Sequence, residues 1–222
     1  MSQQLEPAVE RALSAFGAGE PVLIYDFAGR EGEVDLVYPA AAVDAPAVSR
    51  LRNDAGGLVC VALGPDVADA LELPFIADVV DHPASAGPVA YDERSSFSLS
   101  VNHRDTYTGV TDRDRALTIR RLGEVAGPAR QGSFDVDDFA AEFRAPGHVH
   151  LLRAAESLDA RQGHTELGVA LAAAADREPA AVVCEMLDDT TGDALPMADA
   201  RQYADRHGFA FVEGSAIVEA LG

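Results

Sequence analysis

The chain has 222 residues, 48% of them hydrophobic, with 37 acidic against 17 basic side chains and a formal net charge of −20. A chain of this length buries about 70% of the surface its unfolded form exposes, so it folds without disulfide or metal staples. The acidic excess repels nucleic acid and anionic membranes, whose phosphates need clustered cations. Residues 1–10 lack the basic and apolar regions of a secretory signal, and no run of about 18 or more apolar residues offers a membrane span.

In chain order, Leu5, Val9, Ala12, Leu13 and Phe16 recur at helical spacing, and Gly17 and Gly19 stop that helix. Residues 22–25 form a short apolar strand. A turn-rich stretch, 26–32, leads into a second strand at 33–38. Helices are expected over 46–53 and 65–71, on either side of a buried strand at 58–63. Residues 74–94, rich in Pro, His and Asp, read as a long loop, and 97–101 alternate Ser with apolar residues as a strand does. Helices over 112–122 and 137–143 open with acidic residues, which suit the positive end of the helix dipole. A strand at 149–152, a helix at 165–175 and a strand at 181–186 follow. Helix 197–207, strand 210–213 and helix 215–221 close the chain. Several strands succeed one another without a helix between them. That order favours an α+β fold over a regular doubly wound one: a three-layer single domain over residues 1–222, with helices packed on the faces of a mixed β-sheet.

All 17 basic residues are Arg, and Asp (22) outnumbers Glu (15). Such a surface stays soluble in concentrated salt, where the Debye length falls to about 3 Å and self-repulsion fades. A halophile's cytoplasm is the expected setting. Cys60 and Cys184 sit in apolar runs and do not make a disulfide framework. An anionic substrate would need a local positive site to overcome the global field.

Two segments carry most of the chemistry. In Arg30-Glu31-Gly32-Glu33-Val34-Asp35, side chains at i, i+2 and i+4 of an extended chain share a face. Three convergent carboxylates repel unless a cation or raised pKa relieves them, and hard oxygen ligands suit magnesium or manganese. A solvated acidic edge strand fits the same triplet. In Arg161-Gln162-Gly163-His164-Thr165-Glu166, a glycine turn opens a helix whose free N–H groups favour an anion, Arg161 offers a fork for phosphate, and His164 can ligate a metal. A simple helix cap accounts for it equally well. Pro146-Gly147-His148 sets a histidine before a strand. Glu185 ends the run Ala181-Val182-Val183-Cys184, where partial desolvation would suit an acid or base; a carboxylate in a loop after the strand fits the position equally well.

Taken together, Arg-Glu-x-Glu-x-Asp, Gly-Leu-Val-Cys, Thr-Gly-Val-Thr followed by Asp-Arg, Pro-Gly-His, Arg-x-Gly-His-Thr-Glu and Cys-Glu, in this order, resemble the 3,4-dihydroxy-2-butanone-4-phosphate synthases across nearly the whole chain. The resemblance implies a riboflavin-biosynthetic lyase that converts ribulose 5-phosphate to a four-carbon sugar phosphate and formate. It implies two magnesium or manganese ions per site, bound by Glu31 and His164, and no organic cofactor. Arg30, Glu31, Asp35 and Thr108 would contact the sugar, with Arg161, Gln162, Gly163, His164 and Thr165 holding substrate and its phosphate. His148 and Glu185 would be catalytic, Glu185 also touching substrate, and Glu33 would assist proton transfer. Cys60 would line the pocket. A homodimer is implied, with sites at the interface and His148 serving the neighbouring subunit. Gly32 and Val34 stand where many bacterial members of the family have Asn and Gly.

Overall fold

The computed structural model describes residues 5–27, 30–85, 87–90 and 92–222. Ala28 and Gly29 of the expected first turn, and Ala86 and Tyr91 of the expected long loop, lie outside the described residues. Nine α-helices and seven strands are found among the described residues: α1 (Pro7–Gly17), β1 (Val22–Tyr25), β2 (Val34–Pro39), α2 (Ala45–Asn53), β3 (Cys60–Leu63), α3 (Pro65–Ala70), α4 (Ile76–Val79), β4 (Phe97–His103), α5 (Asp112–Arg130), α6 (Val136–Glu142), β5 (Phe143–Arg153), α7 (His164–Ala174), β6 (Ala180–Glu185), α8 (Met197–His207), β7 (Ala210–Glu213) and α9 (Gly214–Leu221). None of the described helices is long and apolar enough to cross a membrane.

Local chemistry fixes the helix ends. Pro7 and Pro65 lie in first turns, where a missing N–H costs nothing. Asp44 accepts the N–H of Ala47 at 2.8 Å to cap α2, and Thr111 accepts that of Asp114 at 3.1 Å to cap α5. Asp135 and Asp138 form a reciprocal capping box at α6. Gly208, at φ +70°, ends α8 in the left-handed conformation that glycine tolerates.

The strands form one mixed sheet in the order β4-β5-β3-β6-β2-β1-β7. The pairs β1–β7 and β3–β5 are parallel, and the others are antiparallel. Strand residues alternate between two cores. Val34, Leu36, Tyr38, Val61, Val182 and Cys184 pack with α2, α3, α5, α6 and α8 on one face. Val37, Cys60, Ala181 and Val183 pack with α1, α7 and α9 on the other. By the same period of two, Asp35 and Glu185 fall on the α7 face. This is the expected three-layer architecture.

Two elements differ from expectation. The first is α5, which continues eight residues past Leu122, through Gly123, Gly127 and Pro128, to Arg130. The second is β5, which starts at Phe143, so the Pro-Gly-His motif lies inside it. The β4–β5 register runs through Val101 opposite Val149 and resumes at Asn102 opposite Arg144, which leaves residues 145–148 as a bulge. The expected loop at 74–94 carries the short helix α4 and a 3-10 turn at Pro83–Ser85.

Candidate active site

The turn from β1 to β2 is organised by one buried side chain. Asp26 Oδ1 accepts the backbone N–H groups of Gly32 (2.8 Å) and Glu33 (3.0 Å), and its Oδ2 accepts that of Glu31 (3.3 Å). Gly32 takes φ +72°, which a side-chain-bearing residue rarely adopts. Glu31 and Glu33 are thereby set just ahead of β2, and Asp35 lies within it. Across the β2–β6 ladder Asp35 is directly opposite Glu185. All four carboxylates line one cavity of about 230 Å³, together with Cys60, Phe97, Leu152, Arg161, His164 and Thr165.

The carboxylates shift one another. Burial, then Glu185, Glu31, Asp35 and Asp26, push the Glu33 carboxyl up to about 8. Burial, with Glu185, Glu31 and Asp26 adding to it, holds Asp35 well above the usual carboxylate range. Glu33 can therefore hold or release a proton near neutral pH, as an acid–base group must. Burial also lowers His164, against the pull of Asp26 and Glu31, so its ring is neutral and fit for ligation. Burial drives the Cys60 thiol far up, which leaves it a protonated, poorly nucleophilic wall of the pocket.

The donor set suits a hard cation. Asp26, Glu31 and His164 each offer a ligand atom, and these atoms lie within 4.8 Å of one another. His164 Nδ1 is 3.3 Å from Asp35 Oδ1, while its buried Nε2 has no hydrogen-bond partner among the described residues. Asp35 Oδ1 likewise has no hydrogen-bond partner among the described residues, so the two groups are neighbours without a hydrogen bond, and the unused Nε2 is free to serve as a ligand atom.

Beside the cavity lies an ionic cluster. Asp92 Oδ2 meets Arg30 Nη2 at 3.1 Å and Arg161 Nε at 2.5 Å. Arg161 Nη1 also donates to Glu166 Oε2 at 2.8 Å. Glu166 is buried; it accepts the N–H of Gly163 at 3.1 Å, which caps α7, and that of Ala155 at 3.0 Å. A Cβ on Gly163 would approach Arg30 Nη2 to 2.9 Å and Arg161 Nη1 to 3.1 Å, so glycine lets both guanidinium groups come close.

The family model for 3,4-dihydroxy-2-butanone 4-phosphate synthase matches residues 10–220. The chain belongs to the 3,4-dihydroxy-2-butanone 4-phosphate synthase family. It is 52% identical to the synthase of Archaeoglobus fulgidus over 221 residues, 95% of this chain and 92% of that one. A crystal structure of the Candida albicans synthase aligns with TM-score 0.78 and 30% identity, covering 99% of this chain and 100% of that one. A crystal structure of a synthase in complex with two magnesium ions aligns with TM-score 0.77 and 30% identity, covering 98% and 100%.

Of the residues expected to serve a synthase, Glu31, Glu33, Asp35, Cys60, Arg161, His164, Thr165 and Glu185 line the cavity. Arg30 and Gly163 adjoin it through the cluster described above. Gln162 is half-buried just ahead of α7 and is not among the lining residues. Thr108 and His148 are exposed and lie outside the cavity of a single chain. They are nonetheless close to each other's supports. Thr108 Oγ1 is 3.3 Å from Asp114 Oδ2, and the neighbouring Gly109 abuts Asn102, which touches His148.

Sequence reasoning missed Asp26, Asp92, Asn102 and Glu166. Glu166 stands third in its helix, where a carboxylate commonly reaches back to the cap, and that signal was available. Asp26 opens a glycine-bearing turn, a weaker cue of the same kind. Asp92 and Asn102 act through contacts distant in sequence and left no local sign.

Proposed function

We propose that the cavity beside β2, β6 and α7 converts D-ribulose 5-phosphate to L-3,4-dihydroxy-2-butanone 4-phosphate and formate, the step of riboflavin biosynthesis carried by this family. The observation that carries this reading is the meeting of Glu31, Glu33, Asp35, Glu185 and His164 in one cavity beside Arg161. Substrate and products together contain the same atoms, since the water expelled after enolisation is returned before formate leaves. No external oxidant or reductant is required, and no organic cofactor is assigned.

Glu31 and His164, with Asp26 alongside, would hold the divalent cation of a two-ion magnesium or manganese site, which supplies Lewis-acid stabilisation of charge on substrate oxygens. Glu33, protonated and deprotonated near neutral pH, moves protons at the sugar carbons, and Glu185 acts as the second acid–base group. Arg30 and Asp35 orient the sugar hydroxyls. Arg161 takes the phosphate together with Gln162, Gly163 and Thr165, and the phosphate's binding energy positions the reacting carbons. Asp92, paired with both arginines, is the anion that phosphate would replace.

Thr108 and His148 are read as completing the site of a neighbouring copy in a homodimer. Exposed Tyr107 and Val110, 93% and 52% accessible, flank Thr108 and support a covered surface there. The net charge supports a salt-rich cytoplasm as the setting.

Incubation with ribulose 5-phosphate and magnesium in concentrated KCl tests the reaction. Formate release that EDTA abolishes and magnesium restores is expected; folded protein that releases none overturns the assignment. A sedimentation experiment that finds only monomer overturns the dimer.

A further inference from the structure

The bulge at residues 145–148 removes His148 from the regular ladder, and a bulge beside an active site commonly re-aims a side chain. What fixes the ring is Asn102, which is 4% exposed. Its Oδ1 accepts the backbone N–H of His148 at 2.8 Å. Its amide also lies against the ring, with Nδ2 3.1 Å and Oδ1 3.3 Å from Nδ1.

The backbone bond decides which way the amide faces. Turned over, its NH₂ would meet the His148 N–H, donor against donor. Oδ1 keeps a second lone pair, but a proton on Nδ1 aimed at it would lie against the Nδ2 amide protons, so Nδ2, the nearer atom, donates to Nδ1. A ring nitrogen that accepts a hydrogen bond carries no proton, so the proton of the neutral ring sits on Nε2.

Two glycines crowd Asn102, Gly109 against its amide and Gly147 against its backbone. A Cβ on Gly109 would come 2.1 Å from Asn102 Nδ2, and one on Gly147 would come 2.3 Å from the Asn102 backbone nitrogen. Both neighbours are pressed so closely on Asn102 that neither can carry a side chain.

We propose that Asn102 is a positioning residue for the reaction: its amide holds the His148 imidazole in the Nε2–H form, so that the ring presents a hydrogen-bond donor, not a base, to a substrate oxygen. This rests on the catalytic reading of His148 given above. A neutral N–H aimed at an oxygen that gains negative charge stabilises the transition state without an imidazolium having to form.

Nitrogen-15 NMR of histidine-labelled protein tests this, with His148→Ala assigning the ring signals. The wild-type ring should show an unprotonated, hydrogen-bonded Nδ1 and a protonated Nε2. Asn102→Asp, of the same shape, substitutes an acceptor facing Nδ1 and should reverse the two signals. Asn102→Ala should release the ring and lower kcat about 10- to 100-fold, the range typical of an orienting partner, with KM little changed. A wild-type ring protonated on Nδ1, or an Asn102→Asp spectrum identical to wild type, overturns the positioning role. The expected spectra combined with undiminished turnover by His148→Ala would instead remove His148, and with it Asn102, from the reaction.

Discussion

Glu185 ends a buried strand, yet its carboxyl opens into the cavity and faces Asp35 and Glu33. Replacing it with Gln keeps the shape and the hydrogen-bonding reach but removes the proton exchange. Glu185→Gln should bind substrate with KM within about threefold of wild type while kcat falls by about 10²–10⁴, the usual yield of a general acid–base group; unchanged kcat in a formate assay would remove its role. Glu166 has a different task. It is buried, pairs with Arg161 and accepts two backbone N–H groups. Glu166→Ala should cost about 3–5 kcal/mol in urea unfolding, because it strands a half-buried guanidinium without that partner; a loss under 1 kcal/mol would show that Asp92 alone suffices. The acidic triplet and the Gly-His-Thr turn were readable in sequence because each is a local pattern with a fixed period. Asp92 and Asn102 were not, because each acts on residues 46 to 69 positions away.

At the level of elements, the period of two along β2 and β6 was enough to place Asp35 and Glu185 on one face. The full length of α5 was not legible. Gly123, Gly127 and Pro128 are helix breakers by propensity, but here two of them serve contact. A Cβ on Gly123 would meet the Ala41 backbone nitrogen at 2.2 Å, and one on Gly127 would meet the Glu178 carboxylate at 2.3 Å. Tertiary approach thus overrides propensity. Gly123→Ala, which local propensity alone would favour, should instead destabilise by about 1–3 kcal/mol through overpacking; a rise in Tm would show that the short 3-10 helix at Ala40–Ala42, which follows β2, yields freely. The bulge in β5 was hidden for a related reason. Pro-Gly reads as a strand's beginning, and only the β4 ladder reveals that the strand resumes on its far side.

Across the whole molecule, 37 acidic and 17 basic residues leave an unbalanced field around a fold that must still accept a phosphorylated sugar. Screening should therefore stabilise it. Tm should climb steadily as KCl rises from about 0.1 M to molar levels, where the Debye length shortens from about 10 to about 3 Å; a flat or falling Tm would mean that the acidic surface carries little self-repulsion. Element order and layer count were legible in the sequence because they follow from hydrophobic periodicity. The strand order β4-β5-β3-β6-β2-β1-β7 was not, since four of its six neighbour pairs join strands that are not consecutive in sequence, through connections that no local pattern records.

The register that seats β2 against β6 also sets Asp35 directly across from Glu185, and burial together with that neighbour disfavours the charged form of Asp35, a cost the unfolded chain does not bear. The central strands of this molecule thus carry an electrostatic cost that architecture alone does not require. Removing that cost should make the fold sturdier. A doubly neutralised chain, Asp35→Asn with Glu185→Gln, should be catalytically silent and yet melt at a higher temperature than its parent in metal-free buffer. A lower melting point would mean that the two side chains support the strand pair more than their burial burdens it.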